Sequence, residues 1–257
     1  MIKVDLNWDD REVLPDKIRP DVAFLLQRMN LATLEMVAAV DGELIMDVGC
    51  GRAIDALGMS AFGARVIGIE PSRVMTAHAV DMIKLDGHRI SLVRGIGELV
   101  PVAAGSVDKV ICKGALDHFA DPEKAVQQMA AAVKPNGQVI IAVANFSSLG
   151  FKIGEFIFWL RKVLGIKNPY KRLPWQLPPD HTLRFDYRMV TRMAGKYLKL
   201  EKVEGVSLLC AAPGWGDFLG KLPVKTQDSV LHALDRFASR FPALSDVVIL
   251  RGRSCRS

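Results

Sequence analysis

The stretch Ile45-Met46-Asp47-Val48-Gly49-Cys50-Gly51-Arg52-Ala53 decides how this chain folds. Leu44 to Val48 is a short β-rich run, Gly49 and Gly51 break it, and a helical pattern near Ala53 to Phe62 follows. That order is a strand, a turn and a helix. Glycine suits the turn because a side chain would block close approach of a ligand to the backbone, and because the turn calls for positive φ.

Working toward the C-terminus, the unit repeats. Arg65 to Ile69 reads as strand and Ser72 to Leu85 as helix, Ile90 to Val93 and Lys109 to Cys112 as strands, Asp121 to Val133 as helix and Val139 to Val143 as strand. Alternation of this kind predicts a parallel sheet with helical crossovers. Asp121 is placed to cap its helix, Pro122 suits the first helical position, and Pro135 to Gly137 stops the chain before the fifth strand. The alternation then pauses over 146–186, an insertion within the domain. It resumes with a helix near Asp186 to Tyr197, a strand near Leu200 to Leu208, a helix near Thr226 to Arg240 and a strand near Asp246 to Leu250, completing seven strands. Toward the N-terminus, Val22, Leu25, Leu26, Met29, Met36 and Val40 recur at helical spacing, so 1–42 reads as a leading helical segment.

The 257 residues show no internal repeat, linker or second composition regime, and are expected to form one domain over 1–257. With 50% hydrophobic and 24% charged residues, the chain has ordinary globular composition. Its net charge of +6 is spread among interleaved acidic residues, so no nucleic-acid partner is expected. Cys50, Cys112, Cys210 and Cys255 lie far apart, in neither metal-ligand pairs nor a disulfide framework, which fits a reducing compartment, the cytoplasm, and no metal. Met1 to Asp10 lacks the basic start and apolar run of an export signal, and the apolar run Phe156 to Leu160 is far below the ~20 residues that span a bilayer.

Ligands of such sheets bind outside the carboxyl ends of the strands, where the glycine turn lies. Asp47 is placed there to meet a ligand ammonium. Glu70 ends the second strand, before Pro71 and Ser72, and a carboxylate there accepts hydrogen bonds from ribose hydroxyls. A dinucleotide fingerprint would need a third small residue at 54, where Ile54 stands, so a pyrophosphate cradle is not spelled.

Asp47-Val48-Gly49-Cys50-Gly51, Glu70, Gly97-Glu98-Leu99-Val100-Pro101, Gly105-Ser106-Val107-Asp108 and Lys134-Pro135-Asn136-Gly137 together resemble the successive motifs of class I S-adenosylmethionine-dependent methyltransferases, in the branch that includes ubiquinone and menaquinone methyltransferases. The resemblance covers Glu43 to Val143. It implies an α/β, Rossmann-like seven-stranded mostly parallel sheet with helices on both faces, its last strand antiparallel, and a helical insertion after the fifth strand that closes over the acceptor. It also implies S-adenosylmethionine as cofactor, with Asp47, Gly49, Cys50 and Gly51 at the methionine end, Glu70 and Pro71 at the ribose, Ile96, Gly97 and Glu98 near the adenine, and Lys113 along the same wall. Two positions depart from the family pattern: Ala53 replaces the third glycine, and Ile96 stands where an acidic residue meets the adenine amino group. A lost charge-assisted hydrogen bond at Ile96 would weaken binding by ~1.5–3 kcal/mol unless backbone groups substitute.

Methyl transfer from a sulfonium mainly needs alignment in a dry site, but a hydroxyl acceptor also needs a base. Asp117 and His118, after the fourth strand, and His181, inside the insertion, are the candidate catalytic residues; the bland alternative for each is a local loop contact. His78, His88 and His232 read as surface residues. In the insertion, Phe151, Ile153, Phe156, Ile157, Phe158, Trp159, Leu160, Val163 and Leu164 form an apolar helix, with Lys162, Lys167, Lys171 and Arg172 following. It reads as extra core, as a lid with Trp159 and Trp175 stacking on an acceptor, or as a peripheral membrane contact through 151–172. The expected acceptor is a small molecule: hydrophobic, quinone- or lipid-like, a natural product or a glycan, with O-methylation favoured. The competing class is a binding or scaffold protein that has kept the fold without turnover.

Overall fold

The computed structural model describes residues 4–12, 18–84, 90–167, 173–210 and 212–255. The sheet is built from β1 (Leu44–Val48), β2 (Arg65–Ile69), β3 (Ile90–Val93), β4 (Val107–Lys113), β5 (Val133–Ala144), β6 (Leu198–Val206) and β7 (Val247–Ser254), in the spatial order β3-β2-β1-β4-β5-β7-β6. Strands β1 to β5 pair in parallel, and β7 runs antiparallel to both β5 and β6. This is the expected Rossmann-like seven-stranded sheet with its last strand reversed.

The helices are α1 (Pro20–Val37), α2 (Ile54–Ser60), α3 (Arg73–Lys84), α4 (Pro122–Ala132), α5 (Leu149–Val163), α6 (Tyr187–Ala194), α7 (Trp215–Leu219) and α8 (Val224–Arg240). Central strands buried on both faces have no need of polar alternation, which is why Leu44–Val48 reads as a nearly continuous apolar run. One core joins Met46, Val48 and Val110 to Val126 and Met129 of α4 and Val190 of α6. The other joins Ile45, Ile111 and Ile140 to Met36 of α1, Met59 of α2 and Ala79 of α3. Helices therefore cover both faces.

Local chemistry sets the element ends. Asp121 accepts a hydrogen bond from Lys124 N–H at 3.0 Å and caps α4, with Pro122 first in the helix. The chain does not stop at 135–137 before a separate strand. Val107 pairs with Val133 and Lys109 with Gln138, so residues 134–137 bulge out of a continuous β5, with Asn136 at φ 68°. In the leading segment the apolar period is α1, Pro20–Val37, and the described residues 4–12 form an arm with a 3-10 turn at Asp10–Glu12. His88, Lys171 and Arg172 lie outside the described residues.

Candidate active site

The order of strands reverses between β1 and β4, since the chain winds outward from β1 in both directions, and a cleft of about 630 Å³ opens there at the carboxyl edge. Its floor is the turn after β1. Gly49 and Gly51 take φ of 73° and 53°. The Gly49 and Cys50 N–H groups both donate to Ile69 O, at 2.8 and 3.1 Å, which ties the turn to β2. A Cβ on Gly49 would lie 2.4 Å from Ala115 Cβ, so the turn is fitted to glycine. Ala53 caps α2 at φ 62°, a left-handed conformation that costs a non-glycine residue about 1–2 kcal/mol.

Glu70 crosses the floor. Its Oε2 accepts from Gly51 N–H at 3.0 Å and its Oε1 from Ser72 N–H at 2.8 Å. Burial raises its pKa, and those two N–H groups partly offset the rise. Pro71, Cys50, Ile96, Gly97, Glu98 and Lys113 also line the cleft. The side chains are not all free to serve a ligand: Glu98 accepts from Asp121 N–H at 3.1 Å, and Lys113 Nζ pairs with Asp55 at 2.7 Å and with Asn30. Ile96 stands at the wall without an acidic group, bridged to Leu99. Phe119 packs its ring against Gly97, leaving no space for a Cβ there.

Asp47 does not line the cleft; it lies beneath the floor, 2% exposed, with Oδ2 lacking a hydrogen-bond partner. Burial, reinforced by the neighbouring Asp55 carboxylate, pushes its pKa well above the usual carboxylate range. Asp55, in the first turn of α2, is an acidic residue that does line the cleft.

The three candidate catalytic residues come together at the opposite wall, His118 and His181 lining it and Asp117 buried behind them. Leu116–His118 forms a 3-10 turn after β4, and residues 179–182 of the insertion fold against it. Thr182 N–H donates to Asp117 O at 2.8 Å and its hydroxyl to Phe119 O at 2.5 Å. His181 Nδ1 thereby stands 3.2 Å from Asp117 Oδ2, and His118 Nδ1 stands 3.0 Å from Asp180 O. The two imidazoles meet edge to face with centroids 4.4 Å apart. A carbonyl can only accept, so His118 carries its proton on Nδ1 and its basic nitrogen is Nε2. One ligand atom from each of Asp117, His118 and His181 lies within 4.8 Å of the others, a geometry that proton relays share with three-ligand metal sites.

Residues 4–12 lie along the cleft mouth, which the sequence did not disclose. Trp8 Nε1 donates to Asp180 Oδ2 at 3.3 Å, and its ring lies 5.3 Å from that of His118. Ser72 Oγ donates to Trp8 O at 2.7 Å, and Arg52 makes a two-pronged pair with Asp10 at 2.5 and 2.6 Å. The helix of the insertion does not line the cleft: Trp159 is 58% exposed, and Trp175 is buried over Gly154, whose Cβ would meet its ring at 2.3 Å.

The paired features fit the cofactor that the fold class uses: a glycine turn with no room for side chains, a carboxylate at the end of β2, and an orphaned buried acid beneath the floor. Residues 46–141 match the methyltransferase domain family. Across 124 residues the chain is 32% identical to a ubiquinone biosynthesis O-methyltransferase of Cupriavidus pinatubonensis, covering 47% of this chain and 49% of that protein. The chain thus spans about half the length of such curated relatives. Among solved structures, a SAM-dependent methyltransferase from Aquifex aeolicus superposes with a TM-score of 0.53 at 14% identity, covering 74% of this chain and 94% of that one. The [4+2]-cyclase SpnF superposes with a TM-score of 0.58 at 15% identity, covering 88% and 79%. The fold is that of class I S-adenosylmethionine-dependent methyltransferases, and residues 46–141 carry the match to the methyltransferase domain family. The cyclase shows that this architecture alone does not fix the reaction.

Proposed function

We propose that the chain binds S-adenosylmethionine and O-methylates a small hydrophobic acceptor. The observation that carries the reading is one cleft with a nucleotide-type floor, Gly49, Gly51 and Glu70, facing a wall of His118 and His181, with Asp117 buried behind His181. Gly49 and Gly51 let the methionine end approach the backbone, Glu70 receives the ribose hydroxyls, and Ile96 and Gly97 pack on the adenine.

When bound, the cofactor supplies an activated methyl group that an in-line nucleophile displaces. The protein's own work is to hold that nucleophile, exclude water and take its proton. Asp117 faces Nδ1 of His181 and makes Nε2 the basic nitrogen of that ring. His181 is the general base; Asp117 positions it, and His118 forms the adjoining face of the acceptor site. An imidazole at the cleft beside a buried carboxylate supports a hydroxyl acceptor, whose proton needs a base, and the match to a ubiquinone O-methyltransferase supports a quinol- or lipid-like hydroxyl over a glycan. A cytoplasmic setting is supported by four cysteines that are all free thiols. Residues 179–182 carry the part of the insertion that closes on the acceptor.

Isothermal titration with S-adenosylmethionine tests the floor. Glu70→Ala should weaken binding ~10- to 100-fold, the effect of losing hydrogen bonds to a charged group, with Glu70→Gln in between. No binding to the unsubstituted protein at millimolar cofactor would overturn the reading.

A further inference from the structure

α5 is capped by Ser148, whose Oγ accepts from Phe151 N–H, and leaves the carboxyl edge of the sheet directly after β5. Its inner face is fixed. Gly150 packs on the Leu209–Cys210 backbone, Gly154 lies under Trp175, and Phe158 meets Trp175 edge on. A helix in a water-facing position would carry polar residues on its other side. α5 does the reverse: Ile153, Phe156, Trp159, Leu160 and Val163 recur at three- and four-residue spacing and are all exposed, with Phe156 and Val163 at 60% and 63%. Phe156 and Trp159 stack at 5.8 Å, and the stripe runs on through exposed Leu164 and Ile166.

Cations frame this stripe. Lys152, Lys162 and Lys167 are exposed beside it and Arg161 is half-buried along its edge, against Glu155 as the one acid on the helix. The sequence continues with Lys171 and Arg172. An apolar protein partner would be served by the stripe alone; aromatic residues at the surface with a surplus of long cationic side chains complement an interface that is apolar within and anionic at its rim. We infer that α5 is a docking surface for an anionic lipid bilayer, lying in the headgroup plane with Phe156, Trp159, Leu160 and Val163 inserted and the lysines on lipid phosphates.

The helix does not cross the membrane: no helix among the described residues is long and apolar enough to do so. Its position gives the contact a use. Phe151 of α5 packs on Phe146 at 5.8 Å, and Phe146 packs on His181 at 6.0 Å, so docked α5 would hold the catalytic wall beside the lipid surface. The docking itself goes beyond methyl transfer and does not rest on it.

Vesicle flotation tests it, using the full chain with phosphatidylcholine vesicles and with vesicles containing roughly a third phosphatidylglycerol, at low and high salt. The protein should float with the anionic vesicles only, and high salt should release it. The pair Phe156→Ser with Trp159→Ser should abolish flotation. The pair Lys162→Ala with Lys167→Ala should lower partitioning more than about tenfold, at roughly fivefold per cation. S-adenosylmethionine titration of both variants should match the parent, which separates loss of docking from loss of fold or of the proposed activity. Absence of flotation with anionic vesicles at low salt, or flotation unchanged in the aromatic variant, overturns the inference. So does a dimer in sedimentation velocity that the aromatic variant dissociates, because the stripe is then covered by a second copy.

Discussion

Asp246→Asn should stabilise the protein at alkaline pH and leave it unchanged in acid. Asp246 precedes β7, where its Oδ2 accepts from Cys210 N–H at 2.9 Å. Burial raises its pKa from 3.8 to about 7; the Cys210 N–H and the hydroxyls of Ser207 and Ser148 oppose the rise, and nearby Asp21 adds to it. A group whose pKa is higher in the folded state favours folding in its protonated form. That contribution is complete below the unfolded pKa, near 4, and is lost as pH climbs through 7. A carboxyl that titrates near 7 when folded and near 4 when unfolded loses ~4 kcal/mol of stability between pH 4 and pH 8. Asparagine keeps the acceptor for Cys210 and offers an amide to the two serine hydroxyls, which can rotate to accept. At pH 8 the variant should therefore melt about 10 °C above the parent, at ~2–4 °C per kcal/mol for a chain of this size. Below the unfolded pKa, near 4, the two should coincide. Melting curves recorded by circular dichroism from pH 3.5 to pH 8.5 provide the assay. Parallel Tm profiles, with no divergence between pH 4 and 8, would refute the assignment of a raised carboxyl at this site.

The floor and the wall of the cleft give separate outcomes. Gly49→Ala must take φ 73° and place Cβ 2.4 Å from Ala115 Cβ; the left-handed cost of ~1–2 kcal/mol and overpacking of ~1–3 kcal/mol should lower urea stability by about 2–5 kcal/mol. A loss within 0.5 kcal/mol would mean the turn relaxes freely, and it would argue against a rigid cradle. His181→Gln should lower the rate on a hydroxyl acceptor ~100- to 10,000-fold while cofactor affinity stays unchanged, and the acid limb of the pH–rate profile should disappear with the imidazole. A rate that survives the change, or one that chelation abolishes in the parent, would remove the histidine from its role as base.

Much of the sheet could be read in advance because buried parallel strands announce themselves locally. Leu44–Val48, Arg65–Ile69 and Ile90–Val93 are the very residues that pair in β1, β2 and β3, and Asp121 with Pro122 marked the start of α4. Glu70 was legible for a similar reason: its position at the end of β2 puts it on the ligand edge. What stayed hidden depends on contacts between residues far apart in sequence. Trp8 and Asp10 belong to no periodic pattern, and their place at the cleft follows from Asp180 and Arg52, 172 and 42 residues away. Asp47 carried the right residue type, but burial beneath the turn is a tertiary fact. The five residues of α7 are too few to show a helical period. The 3.6-residue pattern of Gly150–Leu164 declared a helix but not which face turned inward; Trp175 and the two glycines decided that.

The arm formed by residues 4–12 is also a strap across the cleft mouth. It is held to the body of the protein by the Arg52–Asp10 pair, one indole N–H bond, one serine hydroxyl and the Arg73 N–H donated to Leu6 O, contacts at a rim where each is worth about 1 kcal/mol. Terminal segments held this lightly move on the nanosecond-to-microsecond scale. In the proposed enzyme a ligand entering the cleft passes this strap, so a bulky tag fused ahead of the arm should shift cofactor affinity in titration without touching a residue of the cleft floor.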